Sequence, residues 1–310
     1  MKLTLLTGGV GGSKLALGFY HSANCELTAI ANTADDIVIH GLHVSPDPDI
    51  LIYTLADLVN QENGWGIRDD SFVVAKALAQ FGRETWFQLG DRDLATAIHR
   101  SAMLASGATL SQAIDSIRVA FGISARVLPM SDEPVSTMLE TNEGVMHLQD
   151  YLVRRRCEPA IRAVEFRGAS AAKPAPEVID AITVADMVVI APSNPLISIA
   201  PILAVPGIRG ALRQRRETVA AVCPLVGGKS LKGPTDKMMV ELGYDLSPRE
   251  IAGMYADFCG IMVLDRSDDG ECAAVERLGV NTVLLTTIMR TLADKISLAE
   301  SIMAHGRKIR

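Results

Sequence analysis

Leu3-Thr4-Leu5-Leu6-Thr7-Gly8-Gly9-Val10-Gly11-Gly12-Ser13-Lys14 is the stretch on which the fold turns. An apolar, strand-like run stops at four glycines and a valine, and a helical pattern follows over Lys14–Ser22. Glycines at such a turn permit φ > 0 and close backbone approach, while a helix start offers unpaired N–H groups to an anion. Gly8, Gly9, Gly11, Gly12, Ser13 and Lys14 are therefore candidate phosphate-binding residues. The alternative is a tight strand–helix turn without a ligand. The spacing is neither Gly-x-Gly-x-x-Gly, because Lys14 falls where the last glycine belongs, nor a Walker A loop, because Ser13 precedes Lys14.

Outward from that turn, short β-branched or leucine-rich runs alternate with helical stretches. That is the pattern of an α/β, Rossmann-like protein with a mainly parallel sheet and helices on both faces. Strands are expected at Leu27–Ala31, Arg126–Met130, Ala163–Arg167, Met187–Ala191, Val219–Pro224, Ile261–Asp265 and Thr282–Thr286. A hairpin is expected over Val135–Val153, turning at Thr141-Asn142-Glu143-Gly144. Helices are expected at Pro201–Arg215, Ser247–Cys259, Gly270–Leu278 and Thr291–His305, with a capping box at Ser247-Pro248-Arg249-Glu250. Between 50 and 121 the alternation lapses into helical spacing, as in Val73-Val74-Ala77-Leu78-Phe81. Residues 1–49 and 122–310 thus read as a nucleotide-binding core, and 50–121 as a helical insertion capping its binding edge.

Composition narrows the function. The 310 residues, 48% apolar and 21% charged, describe a globular chain. A formal charge of −6 and 5% aromatics leave little for a polyanion-binding surface, so no nucleic-acid partner is expected. Five scattered cysteines without a Cys-x-x-Cys pair point to free thiols, and no apolar run approaches a membrane span. The expectation is a soluble cytoplasmic protein with no membrane partner.

Polar turns at strand ends supply further candidates. Asn32-Thr33-Ala34-Asp35-Asp36 and Ser45-Pro46-Asp47-Pro48-Asp49 bring four carboxylates near the phosphate turn, which suits Mg²⁺ held by carboxylates and phosphate oxygens. Asp35, Asp36 and Asp49 are taken as the metal or substrate residues. Capping is the competing role, with Asp49 ahead of a helix near Ile50 and Asp47 in a proline turn. Ser193-Asn194, flanked by prolines, ends another strand where open α/β sheets bind ligands. Gly227-Gly228-Lys229-Ser230 mimics a Walker loop but lacks its first glycine; contact with phosphate and a plain loop both remain open. Asp91 or Asp93 can cap a helix from Leu94 with Arg92 as partner, His40 and His43 read as turn or core residues, and Trp65 stands at a helix end. No nucleophilic Ser-His or Cys-His arrangement is legible.

Gly8–Lys14, Asn32–Asp36, Ser45–Asp49, Gly64-Trp65-Gly66-Ile67, Leu89-Gly90-Asp91-Arg92-Asp93, Leu128-Pro129-Met130-Ser131-Asp132, Ala191–Pro195 and Gly207-Ile208-Arg209 occur in order along the chain. Together they resemble the 2-phospho-L-lactate transferase (CofD/FbiA) family of deazaflavin coenzyme F420 biosynthesis. The resemblance implies a Mg²⁺-dependent transferase, typically a homodimer. Its acceptor would be 7,8-didemethyl-8-hydroxy-5-deazariboflavin (Fo), and its donor a guanosine diphosphate carrying a phosphorylated three-carbon acid: phospholactate, phosphoenolpyruvate or 3-phosphoglycerate. The ribityl hydroxyl would attack phosphorus and expel GMP, a reaction of positioning and charge neutralisation.

In the resemblance, the family's deazaflavin-contacting aspartate falls on Asp49. A second contact, usually basic, falls on Gln88, and Pro48 stands where many members carry leucine. The glycine turn, Ser13, Ser193 and Asn194 would hold the nucleotide. Asp36 and Asp49 would serve catalysis, and Trp65 or Trp86 would wall the Fo pocket. Asp91, Arg92 and Asp132 would shape it. A nucleotide-sensing protein that kept the fold but lost transfer is the reading from another class. A nicotinamide oxidoreductase is a third, and it lacks the third glycine.

Overall fold

A computed structural model describes residues 1–60 and 64–308, and the side chains of all but the last of these. Strands β1 (Lys2–Thr7), β2 (Glu26–Ala31), β3 (Ile37–Ile39), β4 (Leu42–Val44) and β5 (Arg126–Pro129) are followed by β6 (Ser136–Thr141), β7 (Gly144–His147) and β8 (Ile161–Arg167). Next come β9 (Met187–Ile190), β10 (Val219–Val222), β11 (Leu225–Val226), β12 (Lys229–Ser230), β13 (Ile261–Asp265) and β14 (Asn281–Leu285). Among the described residues, seven strands form one parallel sheet in the order β14-β13-β10-β9-β1-β2-β5. The chain winds outward from β1 through β2 to β5, then returns to β9 on the other side of β1. The switch point of this Rossmann-like sheet therefore lies between β1 and β9, where open sheets present a crevice.

Both faces of the sheet are buried, as parallel strands require. Leu3, Leu5, Ala29, Val189 and Val263 point toward one core with Leu15, Phe19, Leu51, Ile52, Ile114 and Leu298. Those side chains come from helices α1 (Gly9–His21), α2 (Pro46–Leu55), a later helix at Leu110–Ala120 and the C-terminal helix. Leu6, Ile30, Val188, Ala221 and Met262 face the opposite core, with Ile182, Ile208, Ile251 and Val275. Residues 50–55 and 110–117 of the helical stretch thus contribute to the layer packed on the sheet.

The remaining helices are α3 (Val73–Gln80), α4 (Asp91–Ala105), α5 (Leu110–Ala120), α6 (Val178–Val184), α7 (Ala200–Ala204), α8 (Ile208–Arg213), α9 (Thr235–Glu241), α10 (Pro248–Tyr255), α11 (Cys272–Glu276) and α12 (Leu292–Lys308). β6, β7 and β8 make a separate antiparallel sheet, and its hairpin turns at Asn142-Glu143 as expected. After β7, however, Asp150–Arg154 forms a π-helical turn, not the continuation of a strand.

Several expected boundaries move. α1 begins at Gly9, so most of the glycine run is the first turn of the helix. α2 begins at Pro46, with Ser45 before it, because proline is well placed at a first helical position. Asp49 is therefore inside α2 and does not cap it. Trp65 lies in the loop between α2 and α3, pinned by the Val59–Ile67 bridge, and not at a helix end; Asn63 lies outside the described residues. The expected helix Pro201–Arg215 is divided by Val205-Pro206-Gly207, where Gly207 adopts φ +97°. At α10, Ser247 accepts from Glu250 N, while a capping box closed in both directions sits at Thr109 and Gln112. The hairpin β3–β4, turning at His40-Gly41, and helix α9 carried no sequence expectation. The five cysteines are unpaired. Among the described residues no helix is long and apolar enough to cross a membrane.

Candidate active site

The C-terminal ends of β1 and β9 meet through side chains and glycine backbone. Ser193 Oγ donates to Gly8 O at 2.7 Å and accepts from Gly8 N at 3.3 Å. A Cβ at Gly11 would fall 2.7 Å from Pro192 O, and one at Gly12 would fall 1.9 Å from Thr7 Oγ1. Glycine is needed at both positions because the helix start is wedged between two strand ends. Gly9, at φ +64°, makes the turn itself.

This wedge floors a cleft of about 450 Å³, lined by Gly8, Gly9, Gly11, Lys14, Ser193 and Asn194. Most of the expected nucleotide residues therefore converge. Their polar atoms are partly committed, since Asn194 Oδ1 accepts from Leu196 N and Ile197 N. Ser13 faces away from this cleft, donating to Val10 O at 3.0 Å within the helix. The Gly227-Gly228 pair forms a hairpin turn between β11 and β12, with φ of +61° and +71°, and the chain beyond it walls the cleft through Ser230 and Lys232.

The acidic residues divide differently from the expected trio Asp35, Asp36 and Asp49. Asn32 Nδ2 donates to Asp35 Oδ1 at 2.9 Å and to Asp47 Oδ2 at 3.0 Å, and Gly9 N donates to Asp47 Oδ1 at 2.8 Å. Asp35 and Asp47 are thus a buried pair at the edge of the nucleotide cleft. Burial pushes the Asp35 carboxyl well above its ordinary range, and the Asp47 charge adds to it. Burial raises Asp47 to about 6, against hydrogen bonds from Asn32 and Gly9.

Asp36 turns away, accepting from Ser45 Oγ at 2.5 Å and meeting His43 Nε2 at 2.8 Å. Asp49 is held by Arg100. The reason is helical geometry: two residues apart in α2, Asp47 and Asp49 project about 200° from each other. Among the described residues no three His, Cys, Asp or Glu side chains gather as a metal cage.

A second pocket, about 530 Å³, adjoins the first and shares Gln149 and Leu152 with it. Asp49, Trp65, Trp86 and Gln88 line it, as do Tyr53, Phe87 and Asp93. Trp86 and Phe87 stack edge-to-face at 5.6 Å, and Arg154 lies 4.7 Å over the Trp86 ring. The expected acceptor residues Asp49, Gln88 and Trp65 therefore share one pocket with an aromatic wall suited to a flat ring. Asp93 is raised to about 6 by burial, then by the charges of Asp49 and Asp70. Beneath Asp49, Arg100 of α4 is fully buried, and its Nη1 donates to His43 O at 3.2 Å. Burial raises the Asp49 carboxyl while Arg100 opposes it.

Asp91, Arg92 and Asp132 do not line this pocket. Asp91 accepts from Val73 N and Val74 N, capping α3, and Asp70 reciprocates by accepting from Arg92 N at 3.0 Å at the start of α4. Arg92 Nη1 donates to Arg68 O. Asp132 accepts from Ser111 N and Oγ, each at 2.7 Å, at the start of α5. Its hollow, shared with Asp36, His43 and His147, is a different one. Sequence reasoning missed Arg100, Asp93 and Gln149. Asp93 stood within the Gly90–Asp93 motif, but Arg100 and Gln149 carried no local signal.

Residues 3–283 match the model of the family described as 2-phospho-L-lactate transferase CofD. A 2-phospho-L-lactate transferase from Methanosarcina mazei is 38% identical over 302 residues, covering 97% of this chain and 99% of the relative. One from Methanothermobacter thermautotrophicus is 38% identical over 304 residues, covering 98% and 97%. A phosphoenolpyruvate transferase from Kitasatospora aureofaciens is 35% identical over 318 residues, covering 100% and 99%. The same fold recurs in a solved UPF0052-family protein from Bacillus halodurans, with TM-score 0.63, 19% identity, and coverage of 98% of this chain and 100% of that one. With that match over nearly the whole length, the chain belongs to the 2-phospho-L-lactate transferase CofD family.

Proposed function

We propose that the chain transfers a phosphorylated three-carbon acid from its guanosine diphosphate conjugate to the ribityl hydroxyl of Fo, in coenzyme F420 biosynthesis. The observation that carries this reading is the pair of adjoining pockets, one glycine-floored and charged, the other aromatic, meeting at Gln149 and Leu152. A bisubstrate reaction without a covalent enzyme intermediate needs such a junction. The relatives' names support both phospholactate and phosphoenolpyruvate as the acid.

In this reading the donor's diphosphate lies along the start of α1, with Lys14 and Lys232 as counter-charges. The Fo ring lies against Trp86 and Trp65, and Asp49 and Gln88 hydrogen-bond its polar atoms. The ribityl oxygen bonds to the phosphorus bearing the acid, the bridging P–O bond breaks, and GMP departs carrying the hydroxyl proton. The reacting atoms come together where the two pockets join, at Gln149 and Leu152.

The buried pair Asp35 and Asp47 fits Mg²⁺, which takes one or two carboxylates and completes its shell with phosphate oxygens and water. Both carboxyls are pushed upward by burial, Asp35 also by the Asp47 charge and Asp47 by that of Asp36, and among the described residues neither has a cationic partner, the electrostatic condition a cation relieves. When bound, Mg²⁺ would neutralise charge on the diphosphate. A homodimer in the cytoplasm belongs to the same proposal, by likeness to the family.

Mixing the protein with Fo, Mg²⁺ and each guanosine-linked donor, then measuring GMP and Fo, tests the proposal. One GMP formed per Fo consumed, with a product mass equal to Fo joined to the phosphorylated acid, is expected. Bound nucleotide with no loss of Fo for any of the three donors would leave a binding protein in place of a transferase.

A further inference from the structure

Next to the nucleotide cleft is a small cavity of about 90 Å³, walled by Lys14, Lys232, Arg290 and Lys295. Its described lining includes one acidic residue, Asp57. The cations arrive from different parts of the chain: α1, the loop after β12, the residue two before α12, and the first turn of α12. Their meeting is built into the helix packing. A Cβ at Gly18 would fall 2.2 Å from Lys295 O, so α12 touches the backbone of α1 there. Lys14 lies one helical turn before Gly18 on the same face, and Lys14 and Lys295 both line the cavity.

Lys295 is 7% exposed, and among the described residues none of the four cations forms an ion pair with a carboxylate. Burial, then Lys232 and Lys295, lower the proton affinity of Lys14. Burial likewise lowers that of Lys295, with Asp57 and Asp294 opposing. A mostly buried lysine without a carboxylate partner, gathered with three further cations, is costly unless something negative sits between them. The space holds a few water-sized groups and excludes a base or sugar.

We propose that this cavity is a small-oxyanion subsite, taking a carboxylate or phosphate group beside the nucleotide cleft. It adjoins that cleft, since Val10, Lys14 and Lys232 border both. Two sources share the chemistry. One is the carboxylate of the donor's three-carbon acid, an assignment that rests on the transferase reading; the other is free inorganic phosphate, which does not. Arg290 and Lys295 wall the small cavity and not the cleft, so they separate its occupancy from nucleotide binding.

Calorimetry with inorganic phosphate on the full chain, its Lys295→Gln variant and its Arg290→Gln variant tests the subsite, alongside donor kinetics and GDP binding. Arg290 is exposed, so its variant keeps the test open should the buried Lys295→Gln misfold. Phosphate affinity is expected to fall about tenfold in each variant, the loss of one charge-assisted contact. If the donor's carboxylate is the occupant, phosphate competes with donor but not with GDP, and the variants raise donor KM while GDP affinity holds. If free phosphate is the occupant, phosphate and donor bind together and only phosphate affinity falls. Equal phosphate affinity in all three proteins, with donor KM also unchanged, overturns the subsite. That failure is distinct from failure of the transferase reading, in which GMP release itself is absent.

Discussion

Arg100, fully buried in α4, forms an ion pair with Asp49 of α2 beneath the aromatic pocket. The pair joins the sheet-facing layer to the helical stretch and fixes the orientation of the carboxylate proposed to hold Fo. Removing one partner of a buried pair costs about 3–5 kcal/mol, because the other charge is stranded. Arg100→Met is therefore expected to lower stability by that order and to raise KM for Fo more than KM for donor. Burial already lifts the Asp49 carboxyl, and losing Arg100 lifts it further. A carboxyl raised in the folded state costs nothing below its unfolded pKa and its full penalty above its folded pKa. The variant's loss of Tm should thus be larger at pH 8 than at pH 4; an equal loss at both would contradict the stranded charge.

The Asp35–Asp47 pair gives a second pH signature. Both carboxyls are raised, Asp47 to about 6, so the folded protein holds protons that the unfolded chain releases. Stability contributed by the neutral forms is present at pH below the unfolded value near 3.8 and is lost as pH rises through about 6. Mg²⁺ with GDP should restore it, with a growing rise in Tm from pH 5 to pH 8. Scanning calorimetry in chelator and in Mg²⁺ reads this directly. Full transfer activity in excess chelator, or a Tm gain independent of pH, would remove the cation from this pair.

Asp49→Asn should cripple turnover more than guanosine nucleotide affinity, since Asp49 lines the aromatic pocket and not the nucleotide cleft. GDP binding by calorimetry beside single-turnover rates separates the two. A loss confined to GDP affinity would reassign Asp49 to the donor.

Gly11→Val places a branched side chain where even a Cβ would lie 2.7 Å from Pro192 O. The start of α1 must move away from the β9 turn, at a cost of about 1–3 kcal/mol typical of overpacking. GDP binding is expected to vanish while the protein remains folded by circular dichroism. Normal GDP affinity would move the nucleotide away from this turn.

Asp132→Ala discriminates capping from pocket shaping. Loss of the bonds from Ser111 should cost about 1 kcal/mol, as for other helix-start carboxylates, with both KM values unchanged. A several-fold rise in KM for Fo would return Asp132 to the acceptor site.

The parallel sheet and the glycine turn were legible because each strand buried on both faces is a compact apolar run, and because few residues other than glycine fit between two strand ends. The roles of the aspartates were not, because they depend on where α2 begins. Reading Ile50 as the start makes Asp49 a cap; the actual start at Pro46 rotates Asp47 to the glycine turn and Asp49 to Arg100. Arg100 itself sits in an amphipathic helix with nothing local to mark it as buried. Gln149 and Leu152 border both pockets only because the chain winds into a π-helical turn after β7, where alternation suggested strand. Asp70 and Asp91 exchange caps between α3 and α4, a pairing that spacing alone does not disclose.

The two-pocket arrangement is tested most directly at Gln88, which lines the aromatic pocket and is remote in role from the nucleotide cleft. Steady-state kinetics of Gln88→Ala, with Fo and donor varied separately, should give a several-fold higher KM for Fo and a nearly unchanged KM for donor. An effect confined to the donor would place Fo elsewhere and undo the assignment of the two pockets.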